Sequence, residues 1–335
     1  MIKCNISPRP GVRFAGTGMA IPQRVLTNDD LSRIVDTSDE WITQRTGIKQ
    51  RHIADDDVGI CELALDATTM ALQNAGMQAS ELDMLLLATL TPEMSCPSSA
   101  ARLVDKIGAK PAAAMDISAA CCGFVNGINM AAAMIEAGYC KTVAVVGAET
   151  LSKITNYDDR RTCILFGDGA GTAILTACDD TNTGCLYQTM GSDGSLWTEL
   201  YLPRCDKHLP EKCDSFTGKF NTLQMNGREV YKFAVNTTLK MIDQTLATTG
   251  VKPDQLSMVI PHQSNLRILE STREKLGLPH EKIYINIDRY GNTSAASVPI
   301  CLHELFQNGR IHYGELVLFV AIGGGMTFSS SLWRL

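Results

Sequence analysis

Short apolar runs alternate with longer helix-like stretches along this chain. The runs Leu82–Leu90, Thr142–Gly147, Met258–Ile260 and Leu316–Ile322 read as strands buried on both faces. Between them, Glu62–Asn74, Val125–Ala137, Val230–Thr248 and Leu266–Leu276 read as helices. Strands that alternate with helices imply α/β layers around parallel sheet. Low-complexity segments and linkers are absent from the pattern.

The pattern also occurs twice. AGMQASELDM, which ends at Met84, resembles TGVKPDQLSM, which ends at Met258. One and the same offset carries Gly76 to Gly250, Met84 to Met258 and Val143 to Val317. KIGAK at Lys106 matches KLGLP at Lys275 with a slightly shorter step, so the intervening loops differ in length. A shift of about half the chain implies one duplicated α/β unit rather than a many-repeat solenoid. Two such halves would pack about a pseudo-twofold axis, with strand ends from both meeting in one cleft.

Composition narrows the picture. The 335 residues are 45% hydrophobic and 20% charged, the balance of a globular protein with two units or one fused pair. No run reaches the ~18 apolar residues of a membrane-spanning helix. The net charge of −6 argues against a general nucleic-acid binder. The opening MIKCNISPRPGVRF carries no apolar stretch, so export is not expected. Twelve cysteines fall short of a disulfide scaffold, and most of them (Cys61, Cys140, Cys163, Cys178, Cys301) sit in apolar or helical runs as small hydrophobes. The expectation is a reducing cytoplasm, with one cysteine used for chemistry.

Three strand–helix junctions could carry that chemistry. In Met115-Asp-Ile-Ser-Ala-Ala-Cys121-Cys122-Gly123-Phe124 a thiol would meet backbone N–H groups and the positive end of a helix dipole, both of which favour thiolate. Composition and spacing do not choose between Cys121 and Cys122, nor between a nucleophile and two core thiols. Pro261 sets His262 just beyond a strand, as catalyst or as structural donor. Asn292 follows the strand-like IYINI. Its offset from Cys121 is close to the repeat offset, so it counts as the counterpart of the cysteine turn; it could equally be a helix N-cap. The Ile322-Gly-Gly-Gly325 run reads either as a tight turn or as an oxyanion site. It lacks phosphate-loop spacing, as does Phe166-Gly-Asp-Gly-Ala-Gly171. Cys205, His208 and Cys213 would give zinc three ligands instead of four, so that segment reads as a surface loop.

Together these segments resemble the β-ketoacyl-[acyl-carrier-protein] synthase III family, from about Ala15 to Leu335. The pieces that carry the resemblance are DTSDEWITQRTGIKQRHI (Asp36–Ile53), the cysteine turn, FGDGAG, PHQSNLRI (Pro261–Ile268) and YGNTSAASVP (Tyr290–Pro299). The resemblance implies a thiolase-like α/β fold, two duplicated βαβαβαββ halves in αβαβα layers. These would be residues 1–176 with the nucleophile and 177–335 with the histidine, asparagine and glycine turn, plus a loop insertion around 203–220. It also implies decarboxylative condensation of an acyl-CoA primer with malonyl-[acyl-carrier-protein] through an acyl-cysteine, initiating type II fatty acid synthesis in the cytoplasm. By position Cys121 is the nucleophile, two residues before Gly123-Phe124, with His262 and Asn292 as its catalytic companions. Gly324 and the Cys121 N–H would form the oxyanion hole. Trp41 and Arg160 would sandwich adenine, with Thr37 and Arg45 in the same coenzyme A region.

The resemblance implies no metal or redox cofactor, coenzyme A thioester being a substrate. It implies a homodimer, and no nucleic-acid or membrane partner. Arg228, Lys232, Arg267, Arg273 and Lys275 would offer the acidic carrier protein a basic surface, although Glu270 and Glu274 share their helix. Two departures stand out. Cys96 replaces a common Phe of the acyl pocket, usually contributed by the partner subunit, which removes volume and suits a longer or branched primer. Cys122 stands where the family has Ala or Ser. The alternatives are a non-condensing acyltransferase or secondary-metabolite ketosynthase on the same fold, a cysteine hydrolase, or an idle acyl-binding protein.

Overall fold

The computed structural model describes residues 9–211, 216 and 218–335. The N-terminal octapeptide, most of the segment read above for export, and Cys213 of the Cys205–Cys213 loop lie outside the described residues. The first sheet comprises β1 (Gly11–Ala20), β2 (Met84–Ala88), β3 (Ala113–Ile117), β4 (Thr142–Thr150) and β5 (Asp168–Cys178). Their spatial order is β1-β5-β4-β2-β3. The second comprises β6 (Gly184–Ser192), β7 (Met258–Pro261), β8 (Leu316–Gly323) and β9 (Thr327–Arg334), in the order β6-β9-β8-β7. The longer helices are α1 (Asp39–Thr46), α2 (Ile60–Ala75), α3 (Ser99–Ile107), α4 (Gly123–Glu136), α5 (Gly227–Thr249), α6 (Leu266–Leu276) and α7 (Ser297–Gln307). The four helices expected from the sequence are all present, with only their ends shifted.

The duplication is visible in the register. Met84 pairs with Val143 in the first sheet, and Met258 pairs with Val317 in the second. Both members of the pair are thus carried across by the one repeat offset. One expected strand is missing. IYINI gives only a parallel bridge, Val259 to Ile283, before the chain turns. The Gln263 side chain takes over the ladder there: Nε2 donates to the Tyr284 carbonyl at 3.0 Å and Oε1 accepts from Asn286 N at 3.0 Å.

Strand alternation builds the layers. Leu86, Val143 and Val145 face inward onto α4 and α7, and so do Ile260, Val317 and Phe319 from the second sheet. These share one apolar core with Phe124, Ile128, Val298 and Leu302 of the two central helices. Leu85, Leu87 and Val146 face outward under α2 and α3. Val259, Leu318 and Val320 face outward under α5 and α6. The result is an αβαβα stack.

Burying both central helices brings their N-terminal turns into contact. Ala120 and Ser294, which the repeat offset relates, both hold φ of 49° just before α4 and α7. The true counterpart of Cys121 is therefore Ala295, the residue after Ser294. Asn292 lies earlier in the same turn, which corrects its reading as the match to Cys121. Gly147 of β4 permits the contact: a Cβ there would lie 2.2 Å from the Ala295 carbonyl oxygen.

Candidate active site

The cleft is a cavity of ≈ 1050 Å³, bordered by residues from both halves. Cys121, His262, Asn292 and Gly324 all line it. Cys122 does not. It is fully buried in the core between the sheets, and burial pushes its thiol up. The structure thus separates the two cysteines that local sequence left equivalent.

Cys121 sits in a 3-10 turn, Ala120–Cys122, that runs directly into α4. The glycine turn packs onto it: a Cβ at Gly323 would lie 2.9 Å from Cys121 N. Gly324 follows in the same turn and lines the cavity with Cys121. The expected thiolate is not the resting state. Burial pushes the Cys121 thiol up to about 12, and the Ser294 hydroxyl beside it only partly offsets this, while Glu149 adds to the rise. A helix end contributes typically 0.3–1 kcal/mol, too little to match the cost of an anion away from water. Cys121 therefore rests as a neutral thiol.

His262 follows β7, its N–H donating to the Val320 carbonyl at 2.7 Å. The ring is 4% exposed, and burial lowers its pKa to about 3, so it too is neutral. Ser297 Oγ accepts from Gln263 N at 3.3 Å and is hydrogen-bonded to His262 Nδ1 at 2.7 Å, a contact in which either atom can be the donor. In the tautomer where the hydroxyl donates to Nδ1, Nε2 carries the hydrogen and is a donor to the cleft. Asn292 Oδ1 accepts from Ser294 N at 2.9 Å, which leaves the amide NH2 as the free end of that side chain. Asn292 is not a helix N-cap; α7 is capped by Ala296. A neutral imidazole, an amide NH2 and a thiol thus share one cleft, an arrangement suited to stabilising negative charge on a carbonyl oxygen.

At the outer end, the Trp41 ring has the guanidinium carbons of both Arg45 and Arg160 at 5.3 Å from its centroid. Trp41 and Arg45 border the cavity. Arg160 does not, because it is drawn to the Asp36 carbonyl (2.8 Å) and carboxylate (3.1 Å). Thr37 is also off the lining, its Oγ1 buried with no hydrogen-bond partner among the described residues. Arg161, next along the chain from Arg160, does line the cavity and was not singled out from sequence. Arg45, Arg161, Arg228 and Arg267 are exposed lining residues, and no Asp or Glu is among the described residues of the lining. A net-negative chain therefore presents a cationic rim.

The remaining expected positions divide. Lys232 and Lys275 are exposed, Lys232 3.9 Å from Glu229. Arg273 is not free to dock anything: its Nε donates to Glu270 at 2.7 Å and its Nη1 to the Leu278 carbonyl at 3.1 Å. Cys96 is exposed and outside the lining, so this chain does not bring it to its own cavity. His208 Nδ1 accepts from Arg204 N at 3.2 Å, and no cluster of three metal-ligating side chains occurs among the described residues. Sequence reasoning also passed over Ser294, Ser297 and Glu149. The first two stood in the TSAAS run, without a signal to separate them from turn formers.

Two family models match the chain. One is 3-oxoacyl-[acyl-carrier-protein (ACP)] synthase III, over residues 115–194; the other is the C-terminal part of the same synthase, over residues 246–335. The chain is 45% identical over 317 residues to the β-ketoacyl-[acyl-carrier-protein] synthase III of Caldanaerobacter subterraneus subsp. tengcongensis, covering 95% of this chain and 96% of that one. The crystal structure of 3-oxoacyl-[acyl-carrier-protein] synthase III from Aquifex aeolicus superposes with a TM-score of 0.90 at 44% identity, covering 97% of this chain and 100% of that one. The Thermus thermophilus enzyme of the same name gives 0.90 at 40% identity, over 96% and 98%.

Proposed function

The chain belongs to the β-ketoacyl-[acyl-carrier-protein] synthase III family, and on that premise we propose how its own residues perform the family's condensation. The enzyme condenses an acyl-CoA primer with malonyl-[acyl-carrier-protein], releasing coenzyme A and CO2 and giving 3-oxoacyl-[acyl-carrier-protein], the initiating step of fatty acid synthesis.

Cys121 attacks the primer thioester, its sulfur bonding to the carbonyl carbon as coenzyme A leaves. The N–H groups of Cys121 and Gly324 hold the tetrahedral oxygen. Trp41, Arg45 and Arg160 hold the adenine end, and the arginine rim meets the phosphates. Malonyl-[acyl-carrier-protein] then presents its thioester carbonyl to His262 Nε2–H and Asn292 NH2. Loss of CO2 places negative charge on that oxygen, where both donors act, and the resulting carbanion attacks the acyl-cysteine. The side chains suffice for this chemistry without metal or redox cofactor, coenzyme A thioester being a substrate.

A cysteine hydrolase would use Asn292 to orient His262. Here Ser297 holds the imidazole and Asn292 is held by Ser294, so both amide and imidazole face the cleft as donors. This favours condensation over hydrolysis and over simple transfer. The carrier protein meets Arg228, Lys232, Arg267 and Lys275. A second copy of the chain covers β3, a sheet edge paired on one side only, where Met115 is 40% exposed. In that homodimer Cys96 would reach the partner's pocket and admit longer or branched primers. Cytoplasmic action, away from nucleic acid and membrane, belongs to the same reading; none of the described helices is long and apolar enough to cross a membrane.

The observation that carries the assignment is the joint lining of one cavity by Cys121, His262, Asn292 and Gly324. Intact mass spectrometry of the protein incubated with a mixed acyl-CoA pool tests it. One acyl adduct should form on the wild type and none on Cys121→Ser, and the adduct mass reports the preferred primer. Loading that persists undiminished in Cys121→Ser would remove Cys121 as the nucleophile.

A further inference from the structure

A neutral thiol must lose its proton before it can attack, and His262 is poorly placed to take it. Its Nδ1 is already hydrogen-bonded to Ser297 Oγ at 2.7 Å, and burial lowers its pKa to about 3, which makes it a weak base. Another group lies beside Cys121. Glu149, near the end of β4, is completely buried. Its Oε2 accepts from Leu90 N at 3.0 Å, Thr91 Oγ1 at 2.8 Å and Thr89 Oγ1 at 3.3 Å. Its Oε1 has no hydrogen-bond partner among the described residues, and neither has Ser294 Oγ.

Those two orphans are neighbours. Ser294 Oγ is close enough to the Glu149 carboxyl and to the Cys121 thiol to stabilise either as an anion, yet stands in formed hydrogen-bond geometry with neither. A buried carboxylate oxygen and a buried hydroxyl without partners are expensive to keep. The left-handed backbone at Ser294, φ 49°, lies in the turn before α7, at the junction of the two halves. Burial also raises the Glu149 carboxyl to about 7, offset in part by the backbone of Leu90 and the hydroxyls of Thr91, Ser294 and Thr89. Near neutral pH that group is divided between its acid and base forms. Three elements face it: the segment after β2 with Thr89, Leu90 and Thr91, the turn before α7 with Ser294, and the turn before α4 with the titratable Cys121.

We propose that Ser294 Oγ and Glu149 form a proton relay for Cys121, with Ser294 touching the reacting sulfur and Glu149 acting through it. Cys121 S–H gives its proton to Ser294 Oγ as the Ser294 proton passes to Glu149 Oε1. The freed sulfur pair forms the bond to the thioester carbon, the carbon–sulfur bond to coenzyme A breaks, and the departing thiolate takes the proton back from Glu149 through Ser294 Oγ, which restores the carboxylate. The site exchanges a thiol and a carboxylate for a thiolate and a carboxylic acid, so two anions never coexist in the dry cleft. This relay rests on Cys121 being the nucleophile, and its test is separable from that reading.

The test is the rate of acyl loading onto Cys121, followed by quenched intact mass spectrometry from about pH 5.5 to 9.5, for wild type, Glu149→Gln and Ser294→Ala. Ala120 holds the same φ as Ser294, so this chain already places an alanine in that backbone conformation. The wild-type rate should rise along a limb centred near neutral pH. Both variants should lose that limb and load roughly 100-fold more slowly at neutral pH, their rates climbing steadily toward the alkaline end. A purely structural Glu149 would lower stability without moving the limb. Retention of the limb, with loading within about threefold of wild type in Ser294→Ala, overturns the relay, and that variant decides alone should Glu149→Gln fail to fold. Absence of any wild-type adduct on Cys121 would instead overturn the nucleophile itself.

Discussion

Ser297→Ala is the sharpest probe of the donor site, because it removes one hydroxyl that never touches substrate. In the wild type that hydroxyl accepts from Gln263 N at 3.3 Å and is hydrogen-bonded to His262 Nδ1 at 2.7 Å, inside a site where Ser297 is 2% exposed. Alanine leaves both partners buried and unpaired. Each such group costs about 1–3 kcal/mol. The imidazole can recover part of that loss only by moving its hydrogen to Nδ1 and seeking another acceptor, which strips Nε2 of its role as donor. A loss of about 1–3 kcal/mol at the decarboxylation transition state corresponds to roughly 5–150-fold in rate. The upper part of that range approaches the ~10²–10³-fold cost of deleting an oxyanion donor outright. Acyl loading runs through Cys121, the Ser294–Glu149 relay and the backbone donors rather than through His262, so it should stay within about threefold. The two half-reactions are measured separately, CO2 release from malonyl-[acyl-carrier-protein] and acyl adduct formation by intact mass. The reasoning fails if both fall by the same factor, since that signals a general loosening, or if CO2 release is unchanged.

Two other substitutions probe the frame and the outer end of the cleft. Gly147→Ala should cost about 1–3 kcal/mol in chemical denaturation, because its Cβ would stand 2.2 Å from the Ala295 carbonyl and force the two nucleating turns apart; an unchanged midpoint would show that the turns have slack. Trp41→Ala removes the ring that faces Arg45 and Arg160. The lost cation–π attraction, about 0.5–2 kcal/mol, should raise KM for acyl-CoA roughly 2–30-fold while leaving condensation from preloaded enzyme alone; equal effects on both would place Trp41 in the frame rather than in coenzyme binding.

Much of this protein was legible along the chain, because the signals are local. Alternating apolar runs and helical stretches set the α/β class, and the repeat offset read from Met84 and Met258 reappears as matching strand registers in two sheets. Cys121, His262, Asn292 and Gly324 each sit at a junction that the sequence marks with its own punctuation. What the chain could not reveal was how those junctions face one another. Cys121 and Cys122 are indistinguishable in sequence, yet the turn sends one to the cleft and the other into the core. The expected thiolate followed from a helix end, a local feature; the neutral thiol follows from burial by both halves, which is not. Ser294, Ser297 and Glu149 gained their roles in the same way, from partners brought close only by packing α4 against α7. Periodicity and turn chemistry act over a few residues and can be read in order, whereas desolvation and proton sharing depend on what the folded chain stacks around each group.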